Sequence, residues 1–525
     1  MAGFISYFSI MPFLPTFYRQ FILISGLWLC CLLSHAQKED YIWLSGYSSQ
    51  VGYDSASGLT FGATVMDFNH TPREIRYDSL GMNFSATSIS MCNSNGELLF
   101  YSNGIYVANA LGNKIENSDS LNDGYATRYI NPSVWESGYE IDHGMIPLQN
   151  GANKNQYYLL HIFADTLPNN GLIYFKSVLE TLLDMQANGG LGKVIYKNKP
   201  VLTSNMNSDI AAVRHANGRD WWVVQQKRNT NCYYQVLVDP SGTHLVDSTC
   251  ANVPVEYFNG SHEVFSNDGS MFAMITTSEG LFLFDFDRCN GTLSNDRFVP
   301  MPFLQDSLWI GIGVCFSPNN RFLYVSLTKL VLQYDLRDPN WQTTPDTVAV
   351  FDGHQAPFGS VFNVSQMGPD GKIYIGCGNG EDNYHVIDRP DEKGDSCLFR
   401  QHGLKLASLS VGVPNFPNYR LGALTGSACD TLTGITDIAE KEKILKVFPN
   451  PATNAITVDY GYTNWEKGDV DLEITNAAGQ LIYTQHLPMY SGFQKLDVRQ
   501  YAHGMYNVAI KRSNTVVATS QFVKK

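Results

Sequence analysis

The chain has 525 residues, of which 44% are hydrophobic and 16% charged, and its formal net charge is −13. That length calls for more than one domain, and the apolar content argues against a disordered chain. The acidic balance, with no dense Lys/Arg run, argues against nucleic acid and anionic lipid as partners.

The chain opens on a targeting segment. Arg19 precedes an apolar run from Phe21 to Leu33, and Ser34-His35-Ala36 places small residues at −3 and −1 of a cleavage site. Residues 1–36 are expected to be a signal peptide cut after Ala36, with Met11 as an alternative start. The run falls short of the ~20 residues of a membrane span, so no transmembrane span is expected in the mature protein. Trp28 and Leu29 before Cys30 argue against lipid attachment, which wants small residues there.

Cleavage leaves eight cysteines: Cys92, Cys232, Cys250, Cys289, Cys315, Cys377, Cys397 and Cys429. An exported protein permits disulfides. Cys232 and Cys250 are the best local pair, because two flanking strands can bring them together. The alternative for the others is a buried free thiol acting as a small hydrophobe. No C-x-x-C pair suggests zinc.

Tyr41–Asn69 reads as strand, turn, strand. From Thr87 a phrase recurs, with turn marks at Gly96, Gly151, Gly218, Gly269, Asn320 and Gly371; the last four fall at a constant step of 51 residues. A fixed period of hairpin-like strands is the mark of a β-propeller. Strands such as Lys372–Ile375 are apolar on both faces, as a blade wedged between neighbours requires. The turns carry Gly or Asn because a two-residue hairpin demands positive φ. Leu172–Leu183 reads as a strand then a short helix, and Asn188–Val194 as a Gly-rich loop, an insertion that lengthens the step between Gly151 and Gly218. Leu398–Leu424 lacks the turn phrase and is expected to join Tyr41–Asn69 in a last blade built from both ends. The expected count is seven blades, with six as the alternative, over residues 37–425.

Residues 426–445 read as a linker rich in Gly, Ser, Thr and Asp. Short strands fill 446–525. Val470, Leu472 and Ile474 alternate with Asp471, Glu473 and Thr475, so one face is wet. Ala478-Gly479 makes a hairpin turn. This pattern predicts a small β-sandwich.

Two resemblances follow from these phrases. GLTFG, NGELLFYSNGIYVAN, LLDMQANGGLGKV, VRHANGRDWWVV, MGPDGKIYI, HVIDRPDEKGDSC and VGVPNFPNY together resemble the propeller region of large Bacteroidetes surface proteins, over roughly 41–425. No string of adhesion repeats follows, and this resemblance brings no catalytic residues with it. Pro449-Asn450-Pro451 with Ala452-Thr453, the stretch around Gly479, and His503–Lys511 with Gly504 and Tyr506 resemble the type A C-terminal sorting domain of the type IX secretion system. That second resemblance implies Sec export, passage across the outer membrane through the type IX machinery, removal of the tail, and anchoring to surface polysaccharide or release.

Candidate chemistry is sparse. His262-Glu263 and His143 beside Asp142 are the polar sites worth weighing, but no H-E-x-x-H or G-x-S-x-G occurs. Structural strand-edge histidines are the plainer reading. Ser266–Phe272 echoes an aspartate box, yet the same turn recurs without its acid at Asn320. Asn117–Gly124 offers oxygens at near-alternate positions for calcium, without the closing Glu of a calcium loop. Otherwise no cofactor, metal or catalytic residue is expected. Trp221, Trp222, Trp309 and Trp341 could stack on sugar rings, with at least one of the first two in the core. The expected function is a secreted or surface binding protein for a glycan or protein. The alternative is a propeller hydrolase or lyase acting on polysaccharide or peptide.

Overall fold

The computed structural model describes residues 37–46, 52–55, 57–84, 86–124, 138–139, 141–166, 173–204, 206–228, 230–252, 260–301, 311–430, 445–460, 470–487, 492–512 and 515–525. The expected signal peptide, Trp309 and most of the expected linker lie outside them.

The chain is all-β. Between residues 42 and 410 the described residues form seven successive antiparallel sheets and a small hairpin, Gly52–Asp54 with Leu59–Phe61. The first sheet holds Ile42–Ser45, Ala63–Asp67 and Glu74–Asp78, and the second Ile89–Cys92, Leu98–Ser102 and Val107–Asn109. The third to seventh each have four strands in sequence order. They open at Met145–Gln149, Ala211–Arg214, Ser261–Phe265, Ile312–Phe316 and Ser365–Met367. The opening strands of the fourth, fifth, sixth and seventh sheets touch one another in succession, as do those of the first, second and third.

The inner strands of the sheets are buried on both faces because alternate residues serve different neighbours. In the fifth sheet Phe272, Met274, Phe282 and Phe284 pack with Trp222, Val224 and Tyr233 of the fourth. The intervening Ala273, Ile275, Leu281 and Leu283 pack with Val314, Phe316, Leu323 and Val325 of the sixth. No single sheet of this kind has a wet face to fall back on, so none is stable alone.

Four sequence expectations need correction. First, the two ends of this region do not share a sheet. Phe399–Ser410 pairs with Glu381–Ile387 as the outer strand of the seventh sheet. The ends meet face to face instead: Thr64 Oγ1 lies 3.0 Å from Ser408 Oγ, and the Trp43 ring lies 5.4 Å from that of Tyr374. Second, Ile173–Asp184 is one strand, with the helical turn later, at Ala187–Gly190. The long step around Gly218 reflects three strands of 11 or 12 residues, Gln156–Thr166, Ile173–Asp184 and Lys193–Thr203, against 4 to 9 residues in the strands of the fourth to sixth sheets. Third, the turns are longer than two residues. At Gly269 the amide donates to Ser266 O, and Ser266 N donates to Met271 O, which leaves four residues in the loop. Positive φ falls on the residue after the turn's two central ones, at 72° for Gly269 and 58° for Asn320. Fourth, Gly151 has no positive φ, and what it provides is space: a Cβ there would meet Arg219 Cγ at 2.2 Å.

Residues 411–424 form no strand. They run from the seventh sheet through the middle of the array and out across the turn side. Asn415 Nδ2 lies within hydrogen-bond distance of the carbonyls of His143, Met145 and Ile210, and Tyr419 OH donates to Pro147 O. Arg420 makes a bidentate pair with the buried Asp40 at 2.6 and 2.8 Å. Leu424 N donates to Ala216 O, and at Gly218 a Cβ would strike Ala423 N at 2.7 Å. The Cys289–Cys429 disulfide fixes the end of this strap to the fifth sheet.

The tail has a three-stranded sheet, Leu445–Phe448, Ala455–Tyr460 and Gly492–Asp497. Its other sheet has four strands in the order Leu481–Leu487, Val470–Asn476, Gly504–Arg512 and Thr515–Lys524. Side chains of both meet in one apolar core, among them Ile456, Val458, Leu472, Ile474, Val508, Ile510 and Phe522, all fully buried. Asn450 binds the last strand as another strand would: its Oδ1 accepts from Val523 N and its Nδ2 donates to Gln521 O. Gly479 closes its hairpin with φ 81°, and Tyr506 stacks on Phe522 at 5.2 Å and donates to Ala502 O.

Candidate functional site

The opening strands of the sheets all begin at one end of the array, and the polar residues worth weighing gather there. His143 lies two residues before Met145–Gln149, Asp209 two before Ala211–Arg214, and His262 and Glu263 within Ser261–Phe265. All four are buried. His143 holds φ 47°, a left-handed conformation that is costly for a residue with a Cβ.

The hydrogen bonds fix the histidine protons. Val314 N–H donates to His262 Nδ1 at 3.0 Å, so the proton of neutral His262 sits on Nε2. That proton goes to His143 Nδ1 at 3.1 Å, which places the His143 proton on Nε2, donated to Val413 O at 3.1 Å. Burial pushes both rings towards the neutral form, His143 to about 4 and His262 well below its ordinary value, where the neighbouring His143 adds to the effect.

One nitrogen of each ring and an Asp209 oxygen lie within 4.8 Å of one another, the geometry of a three-ligand metal site. The donors do not fit one. A metal-bound histidine donates its other N–H to a carbonyl or carboxylate. His143 does so, but the second nitrogen of His262 accepts from a backbone N–H instead. Asp209 spends its oxygens on Ile210 N at 2.8 Å and Glu263 N at 2.7 Å. The histidine pair is a neutral, saturated relay between the third, fifth and sixth sheets. The carboxyl groups are less settled. Burial raises Asp209 and Glu263 well above the carboxylate range, each opposing the other's charge or that of another acid, and both Glu263 oxygens are without a partner.

Just outside the relay, on the same end, lies a cavity of about 220 Å³. Its walls include Ile141, Phe175, Ile312 and Val364, with Asp142, Ser261, Thr277 and Asn363 among them. The opposite end is closed by Asn415–Asn418, which leaves about 40 Å³ beside Glu263.

Sequence reasoning paired His143 with Asp142 and His262 with Glu263, and the structure brings both pairs into one channel. It missed Asp209, whose only signal is its place two residues before a strand that opens a sheet. The core placement expected for at least one of Trp221 and Trp222 holds for both, and sugar stacking fails for the three tryptophans of that set that are described. Trp221, Trp222 and Trp341 are buried, with Trp221 Nε1 donating to Gln149 O and Trp222 Nε1 to Arg288 O. Packing between neighbouring sheets leaves the Trp221 and Trp222 rings nowhere else to go, while Trp341 packs from a turn against Tyr334. In the echo of an aspartate box, Asp268 Oδ1 accepts from Ser266 Oγ, Ser270 N and Ser270 Oγ, which holds the turn together. At Asn117–Gly124 the protein's own cation takes the oxygens: Lys197 Nζ contacts Asn117 O, Asp119 O and Asp119 Oδ1.

The Cys232–Cys250 disulfide forms as expected, while Cys289–Cys429 had no local signal. Cys92, Cys315, Cys377 and Cys397 are free and buried. Burial pushes the Cys92 and Cys315 thiols up to about 12, which makes them inert.

Residues 446–525 match the family described as secretion system C-terminal sorting domain. The chain therefore carries a type IX sorting tail and is directed out of the cell or to its surface. Among the described residues no helix is long and apolar enough to cross a membrane. No curated protein matches. Among solved structures, a functionally unknown protein from Desulfotomaculum acetoxidans is 12% identical, over 71% of this chain and 99% of that one, at TM-score 0.38. A quinonprotein alcohol dehydrogenase-like protein from Bacteroides thetaiotaomicron is also 12% identical, over 72% and 77%, at TM-score 0.34. Likenesses this distant say nothing of function.

Proposed function

We propose that residues 37–425 form a closed seven-bladed propeller, joined by the linker 426–445 to a sandwich-type sorting domain at 446–525. In this reading the propeller is the cargo: a non-enzymatic binding protein for an extracellular glycan or protein. The contact between the first and seventh sheets at Thr64 and Ser408 supports closure of the ring. Gly96, Gly218, Gly269, Asn320 and Gly371 then mark the blade turns on the strap side. Pro449, Asn450, Pro451, Gly479, Gly504 and Tyr506 shape the part of the tail that the type IX machinery reads.

The observation that carries the binding reading is the saturated relay. His143 and His262 have no nitrogen left for proton transfer or for a metal. With the strap over the far end, a ligand is received at the mouth that Asp142, Ser261 and Thr277 line. The test is a glycan and protein array probed with the purified secreted chain, which is expected to return a saturable ligand. A blank array together with hydrolysis of a polysaccharide or peptide would overturn the reading.

One observation favours the hydrolase alternative. Asp209 and Glu263 sit together in the channel with raised pKa values, as an acid and base pair can. If that pair is catalytic, Glu263→Gln abolishes turnover without lowering the melting temperature.

A further inference from the structure

The mouth cavity has an unusual set of vacant acceptors. Asp142 Oδ1, Ser261 Oγ and Thr277 Oγ1 are buried without a hydrogen-bond partner, and all three residues line the same space. Ser261 is only 7% exposed, so its hydroxyl cannot turn to bulk water. Asn363 holds Asp142 from one side, which leaves Oδ1 as the vacant oxygen. Buried polar groups are normally satisfied, and three orphans around one cavity call for a guest that brings donors.

The charge of the site has one sign. Asp142 raises the pKa of Asp209 through space, and Asp209 that of Glu263. Among the described lining residues there is no Lys or Arg. Ile141, Phe175, Ile312 and Val364 supply apolar walls beside the acceptors. Phe175 adds an aromatic ring, whose face attracts a cation.

We propose that this cavity binds a primary ammonium group on an apolar stem, its three N–H donors going to Asp142, Ser261 and Thr277. The inference rests on the reading of this mouth as the ligand end, and it narrows the ligand to an amine-bearing molecule or a lysine-like side chain. An ammonium offers three donors and no acceptor, which matches three orphan oxygens. A hard divalent ion needs six or more oxygens and fits this set poorly. Water is the remaining occupant, since about 220 Å³ has room for about seven molecules at ~30 Å³ each. Burial holds the empty Asp142 carboxyl up at about 6, and an ammonium partner would offset that cost.

The test titrates the full secreted chain with n-butylamine, with n-butanol as the neutral analogue, and with calcium chloride, by calorimetry and saturation-transfer NMR. Butylamine is expected to bind at least about tenfold more tightly than butanol, and Asp142→Asn to remove that preference. Ser261→Ala and Thr277→Val are expected to weaken the amine and leave the alcohol unchanged, and they carry the test if Asp142→Asn fails to fold. Equal binding of amine and alcohol, no saturable binding of either, or calcium that displaces the amine would each overturn the proposal. An array ligand retained by Asp142→Asn would overturn it too, while leaving the broader binding reading intact. Amine binding alongside a blank array would do the reverse.

Discussion

The seven-sheet array and the tail are both all-β, yet their interiors differ in kind. The array encloses Asp40, Glu180, Asp209, Glu263, Glu381 and four histidines, while among the tail's described residues Lys524 is the only buried Lys, Arg, His, Asp or Glu. The tail's core is otherwise a continuous apolar layer between two sheets. The array instead buries acids and histidines among its sheets, some with partners from another part of the chain, as His161 has in Asn122 and His262 in Val314 N.

The sharpest test of that contrast is the strap disulfide. Cys429→Ser opens a loop of separation 140, against 18 for Cys232–Cys250. Loop-closure entropy gives about 5 kcal/mol for the longer and about 3 kcal/mol for the shorter. Cys429→Ser is expected to lower the array's melting transition by more than Cys250→Ser does, with the tail's transition unmoved in both. A shift in the tail would show that the two regions melt as one unit.

Acid should separate them next. His161 donates from Nδ1 to Asn122 Oδ1 and accepts from Thr181 Oγ1, and burial lowers it to about 3; His385 is lowered to about 4 by burial, with His402 adding. In the unfolded chain both titrate near ~6.5. At these two sites the unfolded state thus binds more protons between those values, and their contribution to array stability falls as pH drops from ~6.5 towards 4, while the raised carboxyls of Asp142, Asp209 and Glu263 contribute with the opposite sign. At pH 5 the two together cost about 4 kcal/mol relative to pH 7. Among the tail's described residues no histidine is buried, and its melting temperature is expected to change less than the array's between the two pH values. Equal acid sensitivity of the two transitions would break the comparison.

The smallest effect belongs to the tail motif. Asn450→Ala removes two side-chain bonds to the last strand and is expected to lower the tail's stability by about 1 kcal/mol. Secretion should slow in proportion, read as the ratio of cell-bound to exported protein. A large loss of export with an unchanged tail melting temperature would mean that Asn450 is read directly by the machinery.

Much of this was legible without coordinates. The recurrent turn at Gly218, Gly269, Asn320 and Gly371 reports a local need, a positive φ closing a hairpin, and such needs are written where they occur. The same holds for the alternation of Leu472 and Ile474 with wet neighbours, and for Cys232 and Cys250 on paired strands. The 51-residue step is a property of the chain itself. What no local pattern could announce is which distant residues meet. Asp209 joins His143 and His262, Cys289 finds Cys429, and 411–424 leaves the sheets to thread the middle, because the stacking of whole sheets brings their first strands to one axis. Side-chain chemistry and turn geometry are encoded residue by residue; the meeting of acids, histidines and vacant hydroxyls at one mouth is decided only when the sheets stack.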